Sequence, residues 1–140
     1  MVMAEVMLRS GGNAMAGVFE VYVKGHFSAA HSLRGYEGDC ARVHGHNWIV
    51  EVFVRCLELN ELGIGIDFHD IKTAVKEVLA GIDHCDLNDL PAFASQNPTS
   101  ENVARLLYKE LSEKLDTRNI RVSRVKVSET PGAGASYWEE

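Results

Sequence analysis

The segment VFEVYVKGHFSAAH, residues 18–31, settles the architecture of this chain. Phe19, Val21, Val23, Phe27, Ala29 and His31 fall on one face of an extended chain, and Glu20, Tyr22, Lys24 and Ser28 on the other. That two-residue period predicts a half-buried strand. A polar loop with glycines, SLRGYEGD (32–39), follows. The period then resumes in HGHNWIVEVFVRCLEL (44–59), where His44, His46, Trp48, Val50, Val52, Val54 and Cys56 share a face. Two such runs joined by a loop predict a long antiparallel hairpin.

Beyond the hairpin the period changes. ELGIGI (61–66) breaks the strand, and Asp67 is placed to cap a helix from Phe68 to about Gly81. The apolar stripe of that helix is Phe68, Ile71, Val75, Val78, Leu79 and Ile82. A polar loop, DHCDLNDLP (83–91), precedes Pro98 and Thr99, which open a second helix burying Val103, Leu106, Leu107, Leu111 and Leu115. IRVSRVKVSET (120–130) predicts a third strand, and ASYW (135–138) a short fourth after a PGAG turn. The order ββααββ implies an α+β fold: a four-stranded antiparallel sheet with two helices packed on one face. Such a sheet has two open edges, which soluble proteins usually cover, so association with further copies of the chain is expected.

The 140 residues fit one domain, expected over 18–140. Residues 1–17, with Gly11, Gly12 and Met15, look like a disordered or tag-like leader and are set apart from the fold. They lack the basic-then-apolar pattern of an export signal. No apolar run approaches the roughly 18 residues of a membrane span. A formal charge of −6 argues against a general nucleic-acid or anionic-membrane surface, while leaving room for a small anion in a local basic pocket. Three cysteines, Cys40, Cys56 and Cys85, cannot all pair within one chain. Reduced thiols and a cytoplasmic location are expected.

Chemistry concentrates between residues 27 and 46. His44 and His46, two apart on a strand, project from the same face, and Gly45 between them permits close backbone approach. His31 ends the partner strand and can supply a third nitrogen. Three neutral imidazoles with no fourth protein ligand form the open arrangement of a catalytic zinc. The competing account makes them ordinary polar strand residues. His26, on the opposite strand face, and His69, on the exposed side of the first helix, read as solvated surface. Cys40 lies four residues before His44, and a thiol beside a divalent cation can serve as base or nucleophile. Cys56 continues the apolar face and reads as core. Asp83 and His84 can form a carboxylate-oriented proton relay. Adjacent side chains rarely bond each other well, however, so Asp83 is also a candidate to orient the loop or a thiol. Glu129 shares a strand face with Val125 and Val127, where a carboxylate is costly unless paired. A ligand with two adjacent N–H donors would pair it. Otherwise it is an exposed strand end.

Taken in order, the segments FSAAH (27–31), CARVHGH (40–46), IDF (66–68), DHCDLN (83–88), NPTSEN (97–102) and SET (128–130), with a following small-residue turn and Tyr137, resemble the zinc-dependent pterin synthases of the tunnelling fold. The resemblance runs over nearly the whole chain after the leader. It implies that His31, His44 and His46 bind zinc and that Cys40 is the proton-abstracting thiol. It further implies that His84 with Asp83 is the relay, that Glu129 anchors the pterin ring, and that Thr99 and Ser100 help build the pterin pocket across a subunit boundary. The implied substrate is 7,8-dihydroneopterin triphosphate. The implied assembly is a homo-oligomer whose sheets close into a barrel, as trimers or hexamers.

Three residues separate Cys40 from His44, and this C-x3-HGH spacing resembles the carboxy-forming branch of the family; the pyruvoyl-forming branch has C-x5-HGH. The branch implies a carbon–carbon and carbon–oxygen lyase. It would yield 6-carboxy-5,6,7,8-tetrahydropterin, acetaldehyde and triphosphate on the route to queuosine and other 7-deazapurines. The alternatives are a pyruvoyl-forming synthase, a folate-pathway relative, and a non-catalytic zinc module, including one in which Cys40 closes the metal site. Cys85 departs from relatives, which often carry histidine or a polar residue there. Lys24, Arg34 and Arg42 are the nearby basic candidates for the triphosphate.

Overall fold

The computed structural model describes residues 17–140, so the leader expected over 1–17 lies outside the described residues apart from the exposed Gly17. The hairpin comes first. β1 (Phe19–His31) and β2 (His44–Cys56) pair antiparallel without a slip, from Phe19 opposite Cys56 to His31 opposite His44. Any one-residue slip would turn the apolar set to solvent, so burial pins the register.

Helix α1 (Phe68–Ala80) starts where Asp67 accepts a hydrogen bond from the His69 amide at 2.8 Å. Helix α2 (Ser100–Leu115) starts where the Thr99 hydroxyl accepts one from the Asn102 amide at 3.1 Å. Both caps satisfy amides that a helix start leaves without partners. Strands β4 (Ile120–Thr130) and β5 (Ala133–Tyr137) finish the sheet.

Among the described residues the sheet has five strands, one more than the sequence predicts. Cys85–Asp86 forms β3, a two-residue strand parallel to Ala29–Ala30, and the spatial order is β3-β1-β2-β4-β5. Two residues in a polar segment carry no periodicity, so β3 exists only because the loop is drawn onto the edge of β1. Both helices pack on one face, over Val23, Phe27, Val50, Val52, Val54, Val125 and Val127. Gly25 permits close contact there, since a Cβ would stand 2.9 Å from Val75 and 3.0 Å from Leu79.

Phe68, expected on the buried stripe, is 52% exposed. It lines one cleft with Tyr22 and Lys72 at the outer edge of β1, where no further strand among the described residues covers it. Leu106 is only half-buried, and Ala104 takes a buried place on that face of α2. Among the described residues the other face of the sheet carries no helix. It presents Tyr22, Phe53 and Arg124, with the guanidinium 3.8 Å from the centre of the Phe53 ring.

Candidate active site

The register that buries the hairpin also gathers the histidines. His31 and His44 are paired residues, and His46 pairs with Ala29 two positions along the same face. Ring centroids lie 4.5 Å apart for His31–His44, 5.1 Å for His31–His46 and 4.9 Å for His44–His46. One nitrogen from each ring lies within 4.8 Å of the other two, so the three can hold a metal ion. His31 is buried against the edge of Trp48, whose ring stacks on Phe27 at 5.4 Å and whose Nε1 donates to the Ala29 carbonyl.

Two of the rings are oriented from behind. His31 Nδ1 donates to the Pro98 carbonyl at 2.8 Å and His44 Nδ1 to the Arg42 carbonyl at 2.6 Å. A carbonyl only accepts, so each ring carries its proton on Nδ1 and turns the Nε2 lone pair inward. The Nε2 atoms of His31 and His46 are buried without a hydrogen-bond partner. Native structures rarely tolerate buried polar atoms in that condition. Two unpartnered Nε2 atoms converging with a third imidazole form the donor set of a divalent metal site, so the residues fit the group. Burial is the main cause lowering the pKa of His46, with Glu129 opposing it and the other two histidines adding to it. That favours the neutral, ligating form.

Glu129 reaches this cluster from β4. Its Oε1 is 3.7 Å from His31 Nε2 and its Oε2 is 3.6 Å from His46 Nε2. Strand alternation placed it on the core side, but proximity to the imidazoles required the pairing of β4 with β2. The half-buried carboxylate remains able to accept two parallel N–H donors.

Asp83 and His84 lie across the outer edge of β1. The Ser28 amide donates to Asp83 Oδ1 at 2.9 Å, and the His84 amide donates to the Ser28 carbonyl at 2.6 Å. Of the two readings open for Asp83, the structure combines both: beside its hold on the β1 edge, it bonds its neighbour, with His84 Nδ1 2.9 Å from Asp83 Oδ1. The backbone of His84 is left-handed here, φ 58°. Asp83 is held below the usual carboxylate range chiefly by the Ser28 amide and also by His84, against a penalty from burial. His84 itself is exposed and is not part of the group formed by His31, His44 and His46. An open cleft of about 540 Å³ is nevertheless lined by both His46 and His84, with Ser28, Asn47 and Asp86 between them.

Cys40 is exposed in a single 3-10 turn, Asp39–Ala41, and its thiol is not part of the metal-competent group. The Thr99 hydroxyl is occupied as the α2 cap, and Ser100 is buried in the first turn of that helix. Cys56 is buried, and Cys85 is half-buried with Sγ donating to the Ile82 carbonyl at 3.2 Å. Burial, followed by Asp86 and Asp83, raises the pKa of Cys85, which keeps it a thiol. Of the basic candidates, Arg34 is spent on the carbonyls of Gln96 and Asn88, and Lys24 pairs with Glu51 at 3.3 Å. His26 and His69 are exposed, as expected. Sequence reasoning missed the Pro98 carbonyl behind His31, a main-chain group with no side-chain signal.

Fold and site together define an α+β protein with a three-histidine cluster, able to hold a metal ion, at one end of its sheet. Residues 20–140 match the family model described as 6-pyruvoyl tetrahydropterin synthase. The chain belongs to that family of enzymes. A protein of Archaeoglobus fulgidus, provisionally named 6-carboxy-5,6,7,8-tetrahydropterin synthase, is 44% identical over 98 residues, covering 69% of this chain and 80% of that relative. The 6-carboxy-5,6,7,8-tetrahydropterin synthase of Bacillus subtilis is 36% identical over 126 residues, covering 85% and 84% respectively. The solved 6-pyruvoyl tetrahydropterin synthase of Caenorhabditis elegans superposes with a TM-score of 0.79 at 26% identity, covering 91% of this chain and 99% of that one. The chain therefore has the tunnelling fold. No helix among the described residues is long and apolar enough to cross a membrane.

Proposed function

We propose that this protein is a cytoplasmic, zinc-dependent 6-carboxy-5,6,7,8-tetrahydropterin synthase acting on 7,8-dihydroneopterin triphosphate in 7-deazapurine biosynthesis. The observation that carries the reading is the convergence of His31, His44 and His46, two with orphaned Nε2 atoms, beside the Glu129 carboxylate. The short spacing from Cys40 to His44 and the names of the Archaeoglobus and Bacillus relatives support the carboxy-forming branch.

His31, His44 and His46 would hold zinc, which supplies Lewis acidity to the hydroxyl oxygens of the substrate side chain. Glu129 binds the paired N–H edge of the pterin and fixes its distance from the histidines. Thr99 and Ser100 shape the wall of that pocket at the α2 start. Cys40 removes the C1′ proton. His84, oriented by Asp83, takes up and returns protons as the triphosphate leaves and the C1′–C2′ bond opens. The overall change consumes one water and yields the carboxypterin, acetaldehyde and triphosphate. Among the described residues the outer edge of β1 from Phe19 to Ser28 and the free edge of β5 have no strand neighbour. Those edges support a homo-oligomer, trimer or hexamer, that closes the sheets into a barrel.

The test is to incubate zinc-loaded protein with 7,8-dihydroneopterin triphosphate, weigh the pterin product by mass spectrometry and assay acetaldehyde. Equimolar 6-carboxytetrahydropterin and acetaldehyde are expected. A pyruvoyl product without acetaldehyde overturns the branch, and no turnover with zinc bound overturns the activity on this substrate.

A further inference from the structure

The segment between His31 and Cys40 is gripped by two asparagines from distant parts of the chain. Asn88 Oδ1 accepts from the Ser32 amide at 2.9 Å, and Asn88 Nδ2 donates to the Ser32 carbonyl at 3.0 Å. Asn97 repeats the arrangement on Arg34: Oδ1 accepts from the amide at 2.8 Å and Nδ2 donates to the carbonyl at 3.0 Å. Each carboxamide thus satisfies both main-chain groups of one residue, as a neighbouring strand would. Between the two clamps the Leu33 amide donates to the Cys40 carbonyl at 2.9 Å, closing the thiol's turn onto the same three residues.

The clamps come from the two segments that carry the other parts of the site. Asn88 follows Asp83, His84 and the β3 pairing, while Asn97 adjoins Pro98, whose carbonyl orients His31. Residues 32–34 are therefore where the metal ligand, the thiol turn and the relay segment are joined. Among the described residues neither asparagine hydrogen-bonds to the three imidazoles.

We propose that Asn88 and Asn97 are positioning residues that fix the Cys40 turn relative to the His31 metal ligand. The inference rests on the roles given above to Cys40 and His31. A loop between two strands is otherwise the mobile part of a hairpin. A proton-abstracting group displaced by about 1 Å loses on the order of 100-fold in rate.

Asn119 provides an internal control. It clamps the Leu57 and Glu58 amides, both at 3.1 Å, and the Glu58 carbonyl at 3.2 Å, beyond the opposite end of β2 from the histidines. The experiment compares Asn88→Ala, Asn97→Ala and Asn119→Ala in zinc-loaded protein. It reads zinc content, kcat and KM with 7,8-dihydroneopterin triphosphate, and the rate at which iodoacetamide alkylates Cys40, located by peptide mass. The Asn88 and Asn97 variants should keep zinc and KM, lose about tenfold or more in kcat, and shift Cys40 alkylation several-fold. Asn119→Ala should lower the melting temperature and leave both rates unchanged. Where an alanine variant fails to fold, Asn→Asp carries the same comparison, because it is nearly isosteric and replaces the Nδ2 donor with a charged acceptor that repels the carbonyl it faced.

Cys40 alkylation unchanged in both site variants overturns the proposal, and so does Asn119→Ala depressing kcat to the same degree. If the parent turns over no dihydroneopterin triphosphate, the proposed function fails, and the alkylation rates still decide the clamps.

Discussion

Removing metal with a chelator and refilling with zinc should raise the unfolding midpoint by roughly 12–20 °C, and the rise should depend on His46. The magnitude starts from the two buried Nε2 atoms, on His31 and His46, that lack partners. A buried polar atom left unpaired costs about 1–3 kcal/mol, so a metal that satisfies both relieves about 2–6 kcal/mol. Mass action independently gives about 4 kcal/mol when free zinc stands near 1,000 times its dissociation constant. For a domain of this length each kcal/mol moves the midpoint by about 3–5 °C. The assay is thermal unfolding followed by circular dichroism at one fixed protein concentration, with chelator and then with zinc. His46→Ala removes one ligand and one orphaned atom together, so it should retain less than about a third of the rise. Two results would refute the reasoning. One is a full rise in His46→Ala; the other is a parent that binds one zinc per chain with no rise.

Three further outcomes are expected. Cys40→Ala should keep zinc and melting temperature while losing about 10²–10⁴-fold in acetaldehyde production, the range for a general base, whereas loss of zinc with the thiol would make Cys40 a ligand. Glu129→Gln should raise KM for the pterin by roughly 10–100-fold, because a hydrogen bond to a charged acceptor contributes about 1.5–3 kcal/mol; an unchanged KM would remove Glu129 from pterin binding. Asp83 has its pKa depressed below the ordinary 3.8, first by the Ser28 amide, so the stability it contributes is present above 3.8 and is lost as pH falls through the lower folded-state value. Asp83→Asn should therefore unfold at a lower temperature than the parent near neutral pH, with the gap closing as pH drops below 3.8; a gap independent of pH would show that the carboxylate charge is not what holds the turn.

Much of this protein was decided locally and could be read from the chain. Alternation in residues 18–31 and 44–56 sufficed for the hairpin, because burying one face leaves a single register that keeps Val23, Phe27, Val50 and Val52 from water. Once that register holds, His31 must stand opposite His44, and the metal-competent cluster follows from three sequence positions. Asp67 and Thr99 were legible as caps because capping is a contact between residues two or three apart.

The tertiary structure decided what depended on partners far along the chain. Cys85 and Asp86 became a strand because Ala29 and Ala30 offered an edge, and His84 took a left-handed backbone with its amide on the Ser28 carbonyl. Glu129 came to face His31 and His46 through the pairing of β4 with β2. The carbonyl of Pro98 oriented His31 across 67 positions, and Asn88 and Asn97 acted as strand-like partners for Ser32 and Arg34. Periodicity and capping act over a few residues and are written in the order of side chains. Main-chain groups are alike at every residue, so which carbonyl faces which imidazole is settled only when the chain packs.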